Sequence, residues 1–142
     1  MSVTADEARE RLHRALRGID GRLPVYTGTV DRAVPTHPSG RIRPYVCLWV
    51  SQGAADPAME ALDALAATGA RRLRIHTQLV GADAANVHWL ADRVGPALTN
   101  LRVGDHVVKP DAEQHAHAFI ITDTGVTPPR QYLPLLWTLD LD

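Results

Sequence analysis

An α+β fold, with one mostly antiparallel sheet and two helices packed on one of its faces, is what these 142 residues predict. Three observations carry that expectation. A capping box opens the chain ahead of an amphipathic stripe. A strand–helix unit runs from Arg72 to Leu98. A final run from Thr127 alternates apolar residues and is punctuated by prolines.

The elements follow in order. Thr4 and Glu7 form the Thr-x-x-Glu capping pattern. Ala8, Leu12, Ala15, Leu16 and Ile19 then recur at helical spacing, and Gly18 and Gly21 are placed to end the helix. Arg9, Glu10, Arg14 and Arg17 fall on its other face, with both signs interspersed as on a solvated surface. Val25-Tyr26 and Thr29-Val30 read as short strand pieces around Gly28. Val34 to Pro44 reads as a loop broken by Pro35, Pro38, Ser39 and Gly40. Tyr45 to Val50 is apolar on both alternating faces, which predicts a central strand covered on each side, or one side in an interface.

Gln52 to Ala70 supports two readings. Asp56-Pro57 starts a helix with Met59, Leu62, Leu65 and Ala66 on one face, or the small-residue stretch between Gly53 and Gly69 is an extended arm. Leu73, Ile75, Thr77 and Leu79 alternate with Arg72, Arg74, His76 and Gln78, a half-buried strand. Val87, Leu90, Ala91, Val94 and Leu98 form the stripe of the second helix, and Pro96 is expected to kink or end it near Val94. Leu101 to Val108 reads as a hairpin around Gly104-Asp105, and Ala116 to Thr122 as a strand. Leu133, Leu135, Trp137, Leu139 and Leu141 share one face of the last strand. Pro134 within it argues for a sheet edge or a bulge. With no repeat, low-complexity tract or linker, residues 1–142 read as one domain.

Composition narrows the function classes. A net charge of −1 gives no broad pull toward nucleic acid or membrane. The N-terminal stretch is charged from Asp6 and lacks the apolar core of a signal peptide, and no apolar run nears the roughly 20 residues of a bilayer span. The expectation is a soluble product of the cytoplasm. Cys47 is the one cysteine, set in an apolar run, and is expected as a buried inert thiol.

Catalytic signatures are missing from the sequence. It has no Gly-x-x-x-x-Gly-Lys-Ser/Thr loop, no Gly-x-Gly-x-x-Gly fingerprint and no Gly-x-Ser-x-Gly elbow. Its carboxylates are scattered, and its histidines show no zinc spacing; His115 and His117 are expected on one face of a strand. No catalytic residue, cofactor or metal is therefore assigned. An interface lined by histidine would weaken at mildly acidic pH as imidazoles charge. Arg71, Arg72 and Arg74 form the densest basic cluster, but no interleaved aromatics mark a track for phosphate. Arg72, Arg74 and His76 are read as the wet or intersubunit face of their strand. Trp137 belongs with the core leucines. Trp49 and Trp89 lie opposite their apolar stripes and are interface candidates.

Five phrases, in order, carry a resemblance. They are Val25-Tyr26-Thr27-Gly28-Thr29-Val30; Arg43-Pro44-Tyr45-Val46-Cys47-Leu48-Trp49; Leu73-Arg74-Ile75-His76-Thr77-Gln78-Leu79-Val80-Gly81; Val87-His88-Trp89-Leu90-Ala91-Asp92-Arg93-Val94; and Asp123-Thr124-Gly125-Val126-Thr127-Pro128-Pro129-Arg130-Gln131-Tyr132-Leu133-Pro134-Leu135. Together they span most of the chain. The chain resembles the tail terminator proteins of long-tailed bacteriophages, in the version of actinobacterial phages and prophages.

That resemblance implies a tail-terminator-like fold and a structural virion protein made in the bacterial host cytoplasm. Its partners would be itself, as a ring of usually six copies, the tail tube protein, and the head–tail connector or head-closure protein. Genomic DNA would pass through the lumen without sequence-specific binding. No catalytic residue is implied. The segment from Asp56 to Ala70 departs from the family pattern in being more helical and alanine-rich. Met59, Leu62 and Leu65 in the arm, and the loop from Val34 to Pro44, are expected to touch neighbouring subunits or rings. The rival readings are another head–tail joining subunit, or a small α+β enzyme or ligand-binding domain.

Overall fold

The strands of this chain bury one face fully and the other only in part, according to what covers each. The computed structural model describes residues 3–28, 30, 34–51 and 71–141. Helix α1 spans Ala5–Arg17. Thr4 is its N-cap, and both halves of the capping box form: Glu7 N donates to Thr4 Oγ1 at 3.1 Å and Thr4 N to Glu7 Oε2 at 2.9 Å. Gly18 closes the helix with ordinary right-handed geometry. Strands β1 (Val25–Thr27), β2 (Tyr45–Val50) and β3 (Arg71–Gly81) follow, then helix α2 (Ala84–Leu98). The hairpin of β4 (Arg102–Val103) and β5 (His106–Pro110) comes next. A short helix α3 (Ala112–His117), β6 (Ile121–Asp123) and β7 (Arg130–Leu141) complete the described chain.

The strand order is β1-β2-β3-β7-β5-β4, with β6 also paired to β7. Among the described residues only the β1–β2 pair is parallel. The α+β class and the largely antiparallel sheet are thus as the sequence predicts. β3 and β7 form its backbone, paired residue by residue from Arg71↔Leu141 to Gly81↔Gln131.

Period-two alternation decides what each face buries. On the inner face Val46, Leu48, Leu73, Ile75, Leu79, Trp137 and Leu139 meet Leu12 and Leu16 of α1 and Val87, Leu90, Val94 and Leu98 of α2. Each fully buried Leu or Val contributes roughly 1.5–3 kcal/mol. On the outer face a smaller cluster gathers Ile42, Tyr45, Cys47 and Val80. Ile42 belongs to the proline loop, which closes on itself through a Thr36↔Ile42 bridge and packs Ile42 into this outer cluster. β2 is therefore covered on both sides from Tyr45 to Leu48, whereas Trp49 and Val50 at its end are only half-buried.

Three expectations need correction. Helix α2 does not end near Val94: it runs through Pro96 to Leu98. The proline costs one hydrogen bond in the last turn, but Leu98 is fully buried one turn beyond Val94, and that burial holds the turn in place. Ala116 to Thr122 is not a strand. Asp111 caps α3 by accepting from Gln114 N at 3.1 Å, and the strand is only Ile121–Asp123. His115 and His117 accordingly lie on a helical turn and do not share a strand face. Finally, β7 is interior, not a sheet edge. Pro134 is accommodated because β5 and β6 pair with β7 on either side of it, leaving residues 133–136 without a strand partner on that flank among the described residues.

Candidate functional site

The gap beside Pro134 is where the sheet acquires a shaped surface. Residues 134 and 136 turn their main-chain groups toward the missing strand, and α3 stands there instead. Gln114 Nε2 donates to Pro134 O at 2.9 Å, and Leu136 N donates to Gln114 Oε1 at 2.9 Å. One side-chain amide thus imitates a strand residue. Asp111 N donates to Leu136 O at 3.0 Å, and His115 Nε2 lies 2.8 Å from the same oxygen. A carbonyl oxygen only accepts, so Nε2 carries the proton in that contact. The His115 ring stands edge-on to Trp137, centroids 4.7 Å apart.

The outer face beside this helix forms a groove of ≈ 550 Å³. The register sets its floor. Trp49, His76 and Leu136 lie in one cross-strand row, and Gln78 and Pro134 in the next, where Cys47 on β2 is buried. Gln114 forms a wall. Gly28 lies beside Trp49. At φ 92° it occupies the left-handed region that favours glycine, and a side chain there would meet the Trp49 indole nitrogen.

Beyond Trp49 the outer face closes over. Tyr26 stacks edge-on against Tyr45 at 5.7 Å, and Arg130 Nη1 donates to Tyr45 Oη at 2.9 Å. Burial raises the Tyr45 phenol, with Arg130 partly opposing it. Burial likewise pushes the Cys47 thiol up to about 11. A thiol held neutral is a poor nucleophile, in line with its sequence reading.

The residues singled out from sequence divide into groups. Trp49 is half-buried and His76 exposed, and the structure brings them together in the groove. Arg72 and Arg74 are exposed farther along the same face of β3. Arg72 Nε pairs with Asp140 Oδ1 at 2.5 Å across the strand. Trp89 stands apart on α2, in a second cleft with Leu23 and Pro44. Met59, Leu62 and Leu65 lie outside the described residues, as does the arm they belong to.

Sequence reasoning missed Gln114, Leu136 and Phe119. The signal for the first was present in Asp111-x-x-Gln114, a cap followed three residues on by an amide, which reading Ala116 to Thr122 as a strand obscured. Among the described residues no three His, Cys, Asp or Glu side chains converge as a metal set. No protein-family model matches the chain, and comparison with curated proteins gives no match.

Proposed function

We propose that this chain is a structural subunit of a bacteriophage tail: a ring-forming tail terminator that caps the tail tube, stops its polymerisation and joins the tail to the head connector. In this reading about six copies close into a ring in the neck of the virion. Genomic DNA passes through without sequence-specific contact, and the subunit performs no catalysis.

The observation that carries the reading is the outer face of the sheet. A row of half-buried and exposed side chains, Trp49, His76 and Leu136, crosses three adjacent strands and is left open among the described residues. A rigid sheet presenting an aromatic and a leucine in a groove is suited to burying a partner's side chains. The resemblance supports the same conclusion through its placement. Its phrases fall on β1, β2, β3, α2 and the β6–β7 region, which together form the framework of the sheet and one covering helix.

The size of the groove also favours a second reading, a small-ligand domain, because ligand sites commonly fall in this volume range. Electron microscopy of the purified chain, alone and mixed with tail tubes, separates the two. The tail reading expects closed rings and rings seated on tube ends. A chain that stays monomeric and leaves tube ends bare contradicts it.

A further inference from the structure

Two unlike patches lie on opposite flanks of the sheet. The first is the Trp89 cleft, ≈ 270 Å³, beside the entries to β1 and β2. Leu23, Pro44 and the indole give it apolar walls, and Arg22, Arg43 and His37 surround it with cationic or protonatable groups. Arg93 lies over the Trp89 ring at 4.2 Å and donates to the Trp89 carbonyl at 3.1 Å, which fixes the indole. None of the ion pairs among the described residues uses Arg22 or Arg43. The one carboxylate in the lining, Asp20, accepts from the Arg22 backbone amide at 2.8 Å. Such a cleft suits an apolar side chain accompanied by negative charge.

The second patch follows α3. Phe119 is 70% exposed, the one large hydrophobic side chain so open among the described residues. Asp111 and Glu113 line the same hollow, together with His117. Asp111 is engaged as the α3 cap, whereas Glu113 is exposed and takes part in none of the ion pairs among the described residues. This patch adjoins β6 and β7, and β3 separates β7 from β2. Knob and cleft thus occupy opposite sides of the strand order.

We infer that Phe119 and Glu113 of one subunit seat in the Trp89 cleft of the next. The inference rests on the ring reading above and names its side-to-side contact. A closed ring repeats one heterologous interface, so each subunit must carry two different, mutually complementary patches on opposite flanks. An aromatic anchor entering a pocket with opposite charge at its rim supplies both affinity and orientation. Phosphate of nucleic acid is the other anion the cleft's charge would attract. The copy of this chain is favoured because the cleft has apolar walls that a phosphate would not use, and because the matching knob is present on the same molecule.

Light scattering and native mass spectrometry of the full chain test this. Phe119→Asp and Arg43→Glu are each expected to raise the concentration for half-assembly at least tenfold, with circular dichroism and melting unchanged. Combining Glu113→Arg with Arg43→Glu is expected to restore the assembly. A wild-type chain that remains monomeric overturns the ring reading, and this contact with it. A ring that both single variants leave intact overturns this contact alone. Duplex DNA binding that Arg43→Glu abolishes, with ring size unchanged, also overturns it.

Discussion

Thr77 is the polar side chain buried in the core among the described residues, and its hydroxyl is used twice. Trp137 Nε1 donates to it at 3.1 Å, and it donates to Leu135 O at 3.0 Å. Thr77→Val keeps the shape and removes both bonds, leaving the indole N–H buried without a partner. The expected loss is about 1–3 kcal/mol in urea unfolding, while Thr77→Ser retains most of the stability. Cys47 provides a second residue-scale test. With its thiol at about 11, roughly one molecule in a thousand is thiolate at pH 8. A thiol reagent is expected to leave the folded protein unmodified and to label it fully in denaturant. The linkage has a definite sign. The unfolded thiol ionises near 8.5 and the folded one near 11, so across that window the unfolded state loses its proton first and stability falls as pH rises.

At the scale of elements, the helix–strand unit around Asp83 ties three segments together. Asp83 caps α2 by accepting from Asn86 N at 2.9 Å, and Arg41 of the proline loop pairs with its other oxygen. The hydrogen bond donated by the Asn86 backbone N–H, then the Arg41 contact, hold its carboxyl below the usual range. A lowered folded pKa contributes stability above the unfolded value near 3.9 and loses it as pH falls through the folded value. Asp83→Asn, which still caps, is expected to flatten this acid limb in a melting-temperature series from pH 5 to 2. Helix α3 depends on Gln114. Gln114→Leu leaves Pro134 O and Leu136 N to water, with an expected cost of about 1 kcal/mol because the site is half-exposed.

The elements also explain what was legible in advance. α1, β2, β3 and the face of β7 could be read because their periods are long and their burial one-sided or fully apolar. Pro96 and Pro134 misled for a common reason. Proline reports a local loss of one N–H, and neither the burial of Leu98 nor the arrival of Gln114 is a local property. α3 was hidden because six residues are too few to show a helical period, and only its cap betrays it. Of the candidate surface, Trp49, His76 and Trp89 were legible as polar-face outliers. Their separation into two surfaces depends on the sheet register and on where α2 lies.

At the scale of the whole molecule, the sheet has one face sealed by α1 and α2 and another that, among the described residues, is only partly closed by the proline loop. That asymmetry gives a small subunit a stable core and an open working face at once. The sealed face accounts for folding. In the proposed ring, the open face, with the cleft and the knob on the flanks, would supply the contacts for neighbouring subunits. Asymmetry of this kind underlies the proposal of a tail subunit, and it makes assembly the property to measure. The most direct measurement is native mass spectrometry of the purified chain over a concentration series, paired with images of the same sample. The account predicts one dominant closed species near six chain masses, visible as a ring with an open centre. A single chain mass at every concentration, with no rings in the images, would contradict it.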